Sequence, residues 1–163
     1  MTILLKNKHT VQFDSFIFKS CIGKNGLTKL KKEGDLKTPR GTFNIENLYY
    51  RKDRIKKPTT KLKCIEIKKN MGWCNDVNSK RYNKLVIKNK NFSYEKLFRN
   101  DYKYDLLIPI KYNFNKIIPG KGSCIFIHLT KNYKPTAGCI ALGKKDLLIL
   151  LKLINKKTKI KIY

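Results

Sequence analysis

Apolar and polar residues alternate along much of this chain, and the alternation predicts strands. Thr158-Lys159-Ile160-Lys161-Ile162-Tyr163 alternates without a break, the pattern of a strand with one buried face. Leu62-Lys63-Cys64-Ile65-Glu66-Ile67 alternates in the same way. Asp105–Tyr112 and Gly122–Leu129 are nearly all apolar, and their length suits strands covered on both faces. Val11–Ile22 carries β-branched and aromatic residues and stops at Gly23-Lys24-Asn25-Gly26, a turn. Between Glu33 and Phe43, closely spaced glycines and a proline predict a structured loop feeding a strand at Thr42–Ile45. Only Lys144–Asn155 keeps helical spacing, through Leu147, Leu148, Leu150, Leu151 and Ile154. A mostly β chain with one C-terminal helix is therefore expected, built as a bent sheet or two packed sheets. Its 163 residues suit a single domain over 1–163, with no internal repeat or linker.

Composition adds a question of partners. The net charge is +27, from 33 Lys and 5 Arg against 11 acidic residues. Such an excess invites a nucleic-acid or anionic-surface module, because lysines release counterions from a phosphate backbone. The lysines are spread over the whole length, however, and come with 19 Ile and 15 Asn. All three have AT-rich codons, so compositional drift with a solvated lysine surface is the plainer reading, and no specific nucleic acid is expected. No stretch approaches the roughly 18 apolar residues of a membrane helix, so no transmembrane segment is expected. Met1–Ser20 has short apolar runs broken by Lys6, Lys8 and His9, so no secretory signal is visible. Export without such a signal, a different start and an internal protein all stay open.

Five cysteines, at 21, 64, 74, 124 and 139, form no C-x-x-C pair and are odd in number. At least one thiol is left free, zinc-site spacing is absent, and neither metal nor cofactor is expected. Cys139 stands apart from the rest. It follows Pro135-Thr136-Ala137-Gly138, a tight turn that leads toward the helix. A turn of this kind projects a side chain into a cleft and aims backbone N–H groups at one point, as an oxyanion hole requires. His128 ends an apolar strand eleven positions earlier, and an imidazole there can serve as base to a thiol. Cys21, Cys64 and Cys124 sit in strand-like runs and read as small buried hydrophobes. His9 lies in a polar stretch and reads as a surface residue. Gly23–Gly26 lacks the spacing of a phosphate loop.

These residues also carry a resemblance. Gly122-Ser-Cys-Ile-Phe-Ile-His128-Leu followed by Lys134-Pro-Thr-Ala-Gly-Cys139-Ile-Ala-Leu142 resembles YkuD-type L,D-transpeptidase catalytic domains, in their stand-alone branch. The family pattern is a strand-terminal His, a loop, then Ser/Thr-x-Gly-Cys. Upstream, Gly23–Gly26, Lys32–Asp35, Thr38–Phe43, Trp73–Asp76, Leu97–Asp101 and Tyr112-Asn113 fall in the same order as in that branch. The resemblance covers about residues 20–155.

It implies a YkuD-like bent mixed sheet or sandwich, with the helix near the cysteine. It implies Cys139 as nucleophile, His128 as general base, the Leu129 carbonyl as orienter of the imidazole, and Thr136, Ala137 and Gly138 as the oxyanion turn. Trp73, Tyr82 and Tyr112 are candidates for a substrate groove. The implied substrate is a peptidoglycan tetrapeptide stem. Cys139 would take its acyl group as a thioester, release D-Ala and pass the acyl group to an amine of another stem or a lipoprotein. Water as acceptor would make a carboxypeptidase or endopeptidase instead. The periplasm or cell envelope would then be the place of action. Two positions depart from the pattern: many members have His before Gly-Cys and Arg two residues after the Cys, where this chain has Ala137 and Ala141. The second departure removes a charge that would orient the site or a substrate carboxylate. A domain of this fold that has lost activity is compatible with both.

Overall fold

The computed structural model describes residues 1–163. Its strands, in chain order, are β1 (Thr2–Asn7), β2 (Thr10–Phe13), β3 (Phe16–Cys21), β4 (Leu27–Thr28), β5 (Thr38–Pro39), β6 (Gly41–Asn44), β7 (Leu48–Tyr50) and β8 (Cys64–Glu66). Then follow β9 (Met71–Cys74), β10 (Leu85–Ile87), β11 (Tyr94–Lys96), β12 (Leu106–Pro109), β13 (Phe126–Leu129), β14 (Ile140–Leu142), the helix α1 (Lys144–Leu153) and β15 (Lys159–Ile162). The chain is mostly β with one helix, as the alternation predicts.

Ten strands form one curled mixed sheet in the order β6-β15-β1-β2-β3-β14-β13-β12-β7-β8. Side chains on a strand alternate between faces, so each strand divides its residues between two cores. On one face Ile3, Leu5, Val11, Phe13, Ile160 and Ile162 meet Leu147, Leu150 and Leu151 of α1 in a core of 25 buried residues. The central strands β12 and β13 are buried on both faces, which is why their sequences read as continuous apolar runs. Leu106, Ile108, Ile127 and Leu129 point to the helix side, while Leu107 and Phe126 point to the other. There they join Tyr49, Ile67, Trp73, Leu97, Tyr104 and Cys139. Trp73 belongs to a small sheet, β10-β9-β11, that covers this second face.

Three predicted elements differ in extent. Val11–Ile22 is a hairpin, because Asp14 takes a left-handed φ of 53° and folds β3 back on β2. The strand expected over Gly122–Leu129 begins only at Phe126. Gly122 and Cys124 have φ of 101° and 56°, which an extended strand cannot contain. The helix stops at Leu153, since Ile154 is extended with ψ 159° and donates its N–H to the Leu150 carbonyl.

One connection positions the site. β13 and β14 are parallel neighbours with Ile127 opposite Ile140 and His128 opposite Ala141. Parallel strands cannot be joined by a hairpin, so the chain crosses back between Leu129 and Ile140. The residue just before β14, Cys139, thereby comes to lie beside the start of β13. His128, two places after Phe126, shares that residue's face.

Candidate active site

Cys139 lines two clefts. One, of about 230 Å³, is lined by His128, Tyr104, Glu95, Arg99, Lys103 and Ala141 together with the crossing loop from Thr130 to Ala137. The other, of about 160 Å³, runs past Cys139 to Lys31, Glu33, Ser123 and Cys124. Cys139 and His128 are thus brought together, from either side of the crossing loop.

At rest the thiol is held by backbone on both sides. Its proton is donated to the Cys124 carbonyl at 3.1 Å, and the Phe126 N–H is donated to its sulfur at 3.4 Å. The left-handed turn at Cys124 is what aims that carbonyl at the sulfur. Burial pushes the Cys139 thiol up to about 12, only partly opposed by the Phe126 N–H. The resting cysteine is therefore a neutral thiol.

His128 Nδ1 lies 2.8 Å from the Leu129 carbonyl oxygen. A carbonyl only accepts, so Nδ1 must carry the proton, and a neutral ring then has its lone pair on Nε2. Burial holds the imidazole down at about 4, opposed by the bond to Leu129. The ring of Tyr104 packs against it edge to face at 5.2 Å. The ring is therefore neutral, with a free lone pair on Nε2, at any pH above about 5.

The low value has a consequence for stability. The unfolded imidazole takes a proton near 6.5, whereas the folded one resists until about 4. The unfolded state thus binds more protons in this window, and stability is lost as pH falls through it. The loss should approach about 3 kcal/mol at its acid end. Denaturant unfolding at pH 7 and 4.5 should show a smaller loss in His128→Gln than in the parent. Equal losses in the two would contradict a buried neutral His128.

The turn before Cys139 is tied at both ends. Thr136 Oγ1 donates to the Cys139 carbonyl at 2.6 Å and accepts from the Gly138 N–H at 3.1 Å. The Gly138 N–H is thus engaged, and the N–H groups of Ala137 and Cys139 are the two in this turn that make no hydrogen bond within the chain. Gly138 has a φ of 142°, and a Cβ there would stand 2.9 Å from the Lys37 carbonyl oxygen. Gly23 is equally crowded, 2.5 Å from the Leu36 oxygen. Backbone meets backbone here: Thr136 donates to the Ile22 carbonyl, Lys24 donates to that of Thr136, and the Thr38 hydroxyl donates to that of Gly138.

Trp73, Tyr82 and Tyr112, the candidates for a substrate groove, stand apart from the two clefts at Cys139, and none of the three lines either one. Trp73 is buried between Tyr49 and Phe126 and donates to Asn83 Oδ1 at 2.9 Å. Tyr82 is buried, donates to Glu33 and accepts the Gly122 N–H at 3.1 Å. Tyr112 donates to the Lys121 carbonyl at 2.6 Å. The phenol of Tyr82 fixes the Gly122–Cys124 segment under the thiol, while Trp73 and Tyr112 each border a separate cavity.

The clefts are walled instead by Tyr104, Glu95, Arg99, Lys31 and Glu33, which residue type alone did not single out. Arg51 braces this wall. It is buried, donates to both carboxylate oxygens of Asp53, stacks on Phe98 at 3.5 Å and donates to the Arg99 carbonyl at 2.6 Å.

No curated protein sequence matches the chain significantly. A family model for the L,D-transpeptidase catalytic domain, YkuD, matches residues 1–162. With nearly every residue covered, the chain belongs to the YkuD family of L,D-transpeptidase catalytic domains.

Proposed function

We propose that this chain is a cysteine acyl-transferase of peptidoglycan stem peptides, with Cys139 as nucleophile and His128 as general base. The observation that carries the reading is the Nδ1–Leu129 bond. It leaves Nε2 unprotonated on a ring that lines the same cleft as Cys139. A buried neutral thiol is inert alone and needs such a base at the moment of attack.

The thiol would swing from the Cys124 carbonyl and give its proton to Nε2 as its sulfur attacks the carbonyl joining the L-centre of diaminopimelate to D-Ala. The unengaged N–H groups of Ala137 and Cys139 are suited to meet the oxyanion. His128 then protonates the departing D-Ala nitrogen, leaving a thioester on Cys139. An amine of a second stem or of a lipoprotein resolves the thioester, giving its proton to His128. The substrate belongs to the cell wall, so we place the action in the envelope.

Mass spectrometry after incubation with purified tetrapeptide stems tests this. The expected result is a tripeptide acyl group on the peptide containing Cys139, with free D-Ala released. An adduct on another cysteine, or none with either a stem or a carbapenem, would overturn the assignment. Hydrolysed tripeptide in place of cross-linked product would identify water as the acceptor and make the enzyme a hydrolase.

A further inference from the structure

Both clefts meet at Cys139, but only the larger one is lined by His128. On the acyl-transfer reading, on which this inference rests, that asymmetry orders the substrate. The sulfur–carbon bond forms, the carbon–nitrogen bond breaks, and the thiol proton passes through His128 to the leaving nitrogen. The leaving amine must therefore depart into the larger cleft. In the second step the entering amine gives its proton to His128 and so arrives by the same route. A leaving D-alanine carries a carboxylate one carbon from that nitrogen, so the larger cleft must receive a carboxylate.

The cations of this cleft are not equivalent. Arg99 already meets Glu95 at 2.9 Å and Asp101 at 2.7 Å. Lys131 and Lys134 are exposed on the crossing loop. Lys103 is half-buried, lines the cleft, and takes part in none of the chain's eight ion pairs. Its backbone is pinned: its N–H donates to Asp101 Oδ1 at 3.1 Å, and its carbonyl accepts the Leu129 N–H at 3.0 Å. The next residue, Tyr104, is the one packed on the imidazole. Ala141, paired with His128 on the neighbouring strand, adds only a methyl group to the lining.

We infer that Lys103 holds the α-carboxylate next to the reacting nitrogen. It thereby selects leaving and entering amines that carry one, a role for which Ala141 offers no charge. A half-buried lysine that lines the cleft and forms no ion pair is suited to a ligand carboxylate, and the cleft's other walls already supply the reacting groups.

Two donor peptides isolate the effect, one ending in D-alanine and one in D-alaninamide. Both leave the same acyl group on Cys139, so only the leaving side differs. The parent should acylate roughly 10- to 100-fold faster with the free acid, the scale of a lost charged hydrogen bond. Lys103→Met should show nearly equal rates with the two peptides, and Lys103→Arg should restore the preference. The same pattern should hold in the second step with D-alanine and D-alaninamide as acceptors. If the parent uses both donors equally, or Lys103→Met keeps the full preference, this inference falls while the acyl-transfer reading stands. If the parent forms no adduct with either donor, the two fall together.

Discussion

Cys139→Ala should form no acyl-enzyme at any pH, whereas His128→Ala should still acylate, slowly and with a steep pH dependence. The first variant lacks the only atom proposed to take the acyl group. The second keeps the thiol and loses its base, which costs about 10² to 10⁴ in rate near neutral pH. The buried state of the thiol shapes the remaining profile. Because burial pushes Cys139 up to about 12, the thiolate fraction in His128→Ala should rise about tenfold per pH unit past pH 10. The parent, by contrast, should be nearly flat from pH 6 to 9 and decline only as His128 is protonated, toward about 4. Substituting His9, exposed at the turn between β1 and β2, should leave the parental profile. Mass spectrometry of the acyl-enzyme across pH 5 to 10.5 checks all three. A His128→Ala rate equal to the parent's at pH 7 would show that the base lies elsewhere.

Thr38→Val should destabilise the protein by about 2 to 6 kcal/mol, although valine has the same shape as threonine. The hydroxyl is fully buried, donates to the Gly138 carbonyl at 2.7 Å and accepts the Gly23 N–H at 3.0 Å. Valine would leave a buried donor and a buried acceptor unpaired, each costing about 1 to 3 kcal/mol. The backbone cannot close in to satisfy them, since Gly23 and Gly138 are already crowded by the backbone of Leu36 and Lys37, with no room even for a Cβ. For a chain of this length the melting temperature should fall by about 6 to 18 °C. Thr38→Ser, which keeps the hydroxyl, should lose no more than about 1.5 kcal/mol. The bond to Gly138 also fixes the turn that presents Cys139, so acylation should slow in the valine variant even well below its melting temperature. A valine variant as stable as the serine one would rule out this role for the hydroxyl.

What could be read in the sequence follows from which forces act locally. The alternation in Thr158–Tyr163 and the apolar runs in Asp105–Tyr112 and Gly122–Leu129 record burial directly, and each contains a strand, though the last run is extended only from Phe126. The Thr-x-Gly-Cys turn and the strand-end His were legible because both are local in sequence. Strands of three residues such as β7, β10 and β11 are too short for a period to show. Cys124 read as a strand residue because its neighbours are apolar, while its left-handed φ is set by the packing of Gly122 and Tyr82 around it. Trp73, Tyr82 and Tyr112 show the limit of residue type, for a ring fills a core as readily as a groove. Lys103 was hidden for a different reason: among 33 lysines, one unpaired ammonium in a cleft has no sequence mark.

The pairing of β1 with β15 bears on how the molecule withstands force. The two strands run parallel, with Thr2 opposite Lys159 and Leu5 opposite Ile162. A pull on the two chain ends draws β1 backward and β15 forward, so they would have to slide past one another. The bonds of a parallel ladder are evenly spaced along it, and sliding stretches them together rather than one after another. Each strand is held on its other side as well, β1 by β2 and β15 by β6. Tension along the chain therefore meets a shear clamp, and neither end can be peeled from the sheet without breaking that clamp first.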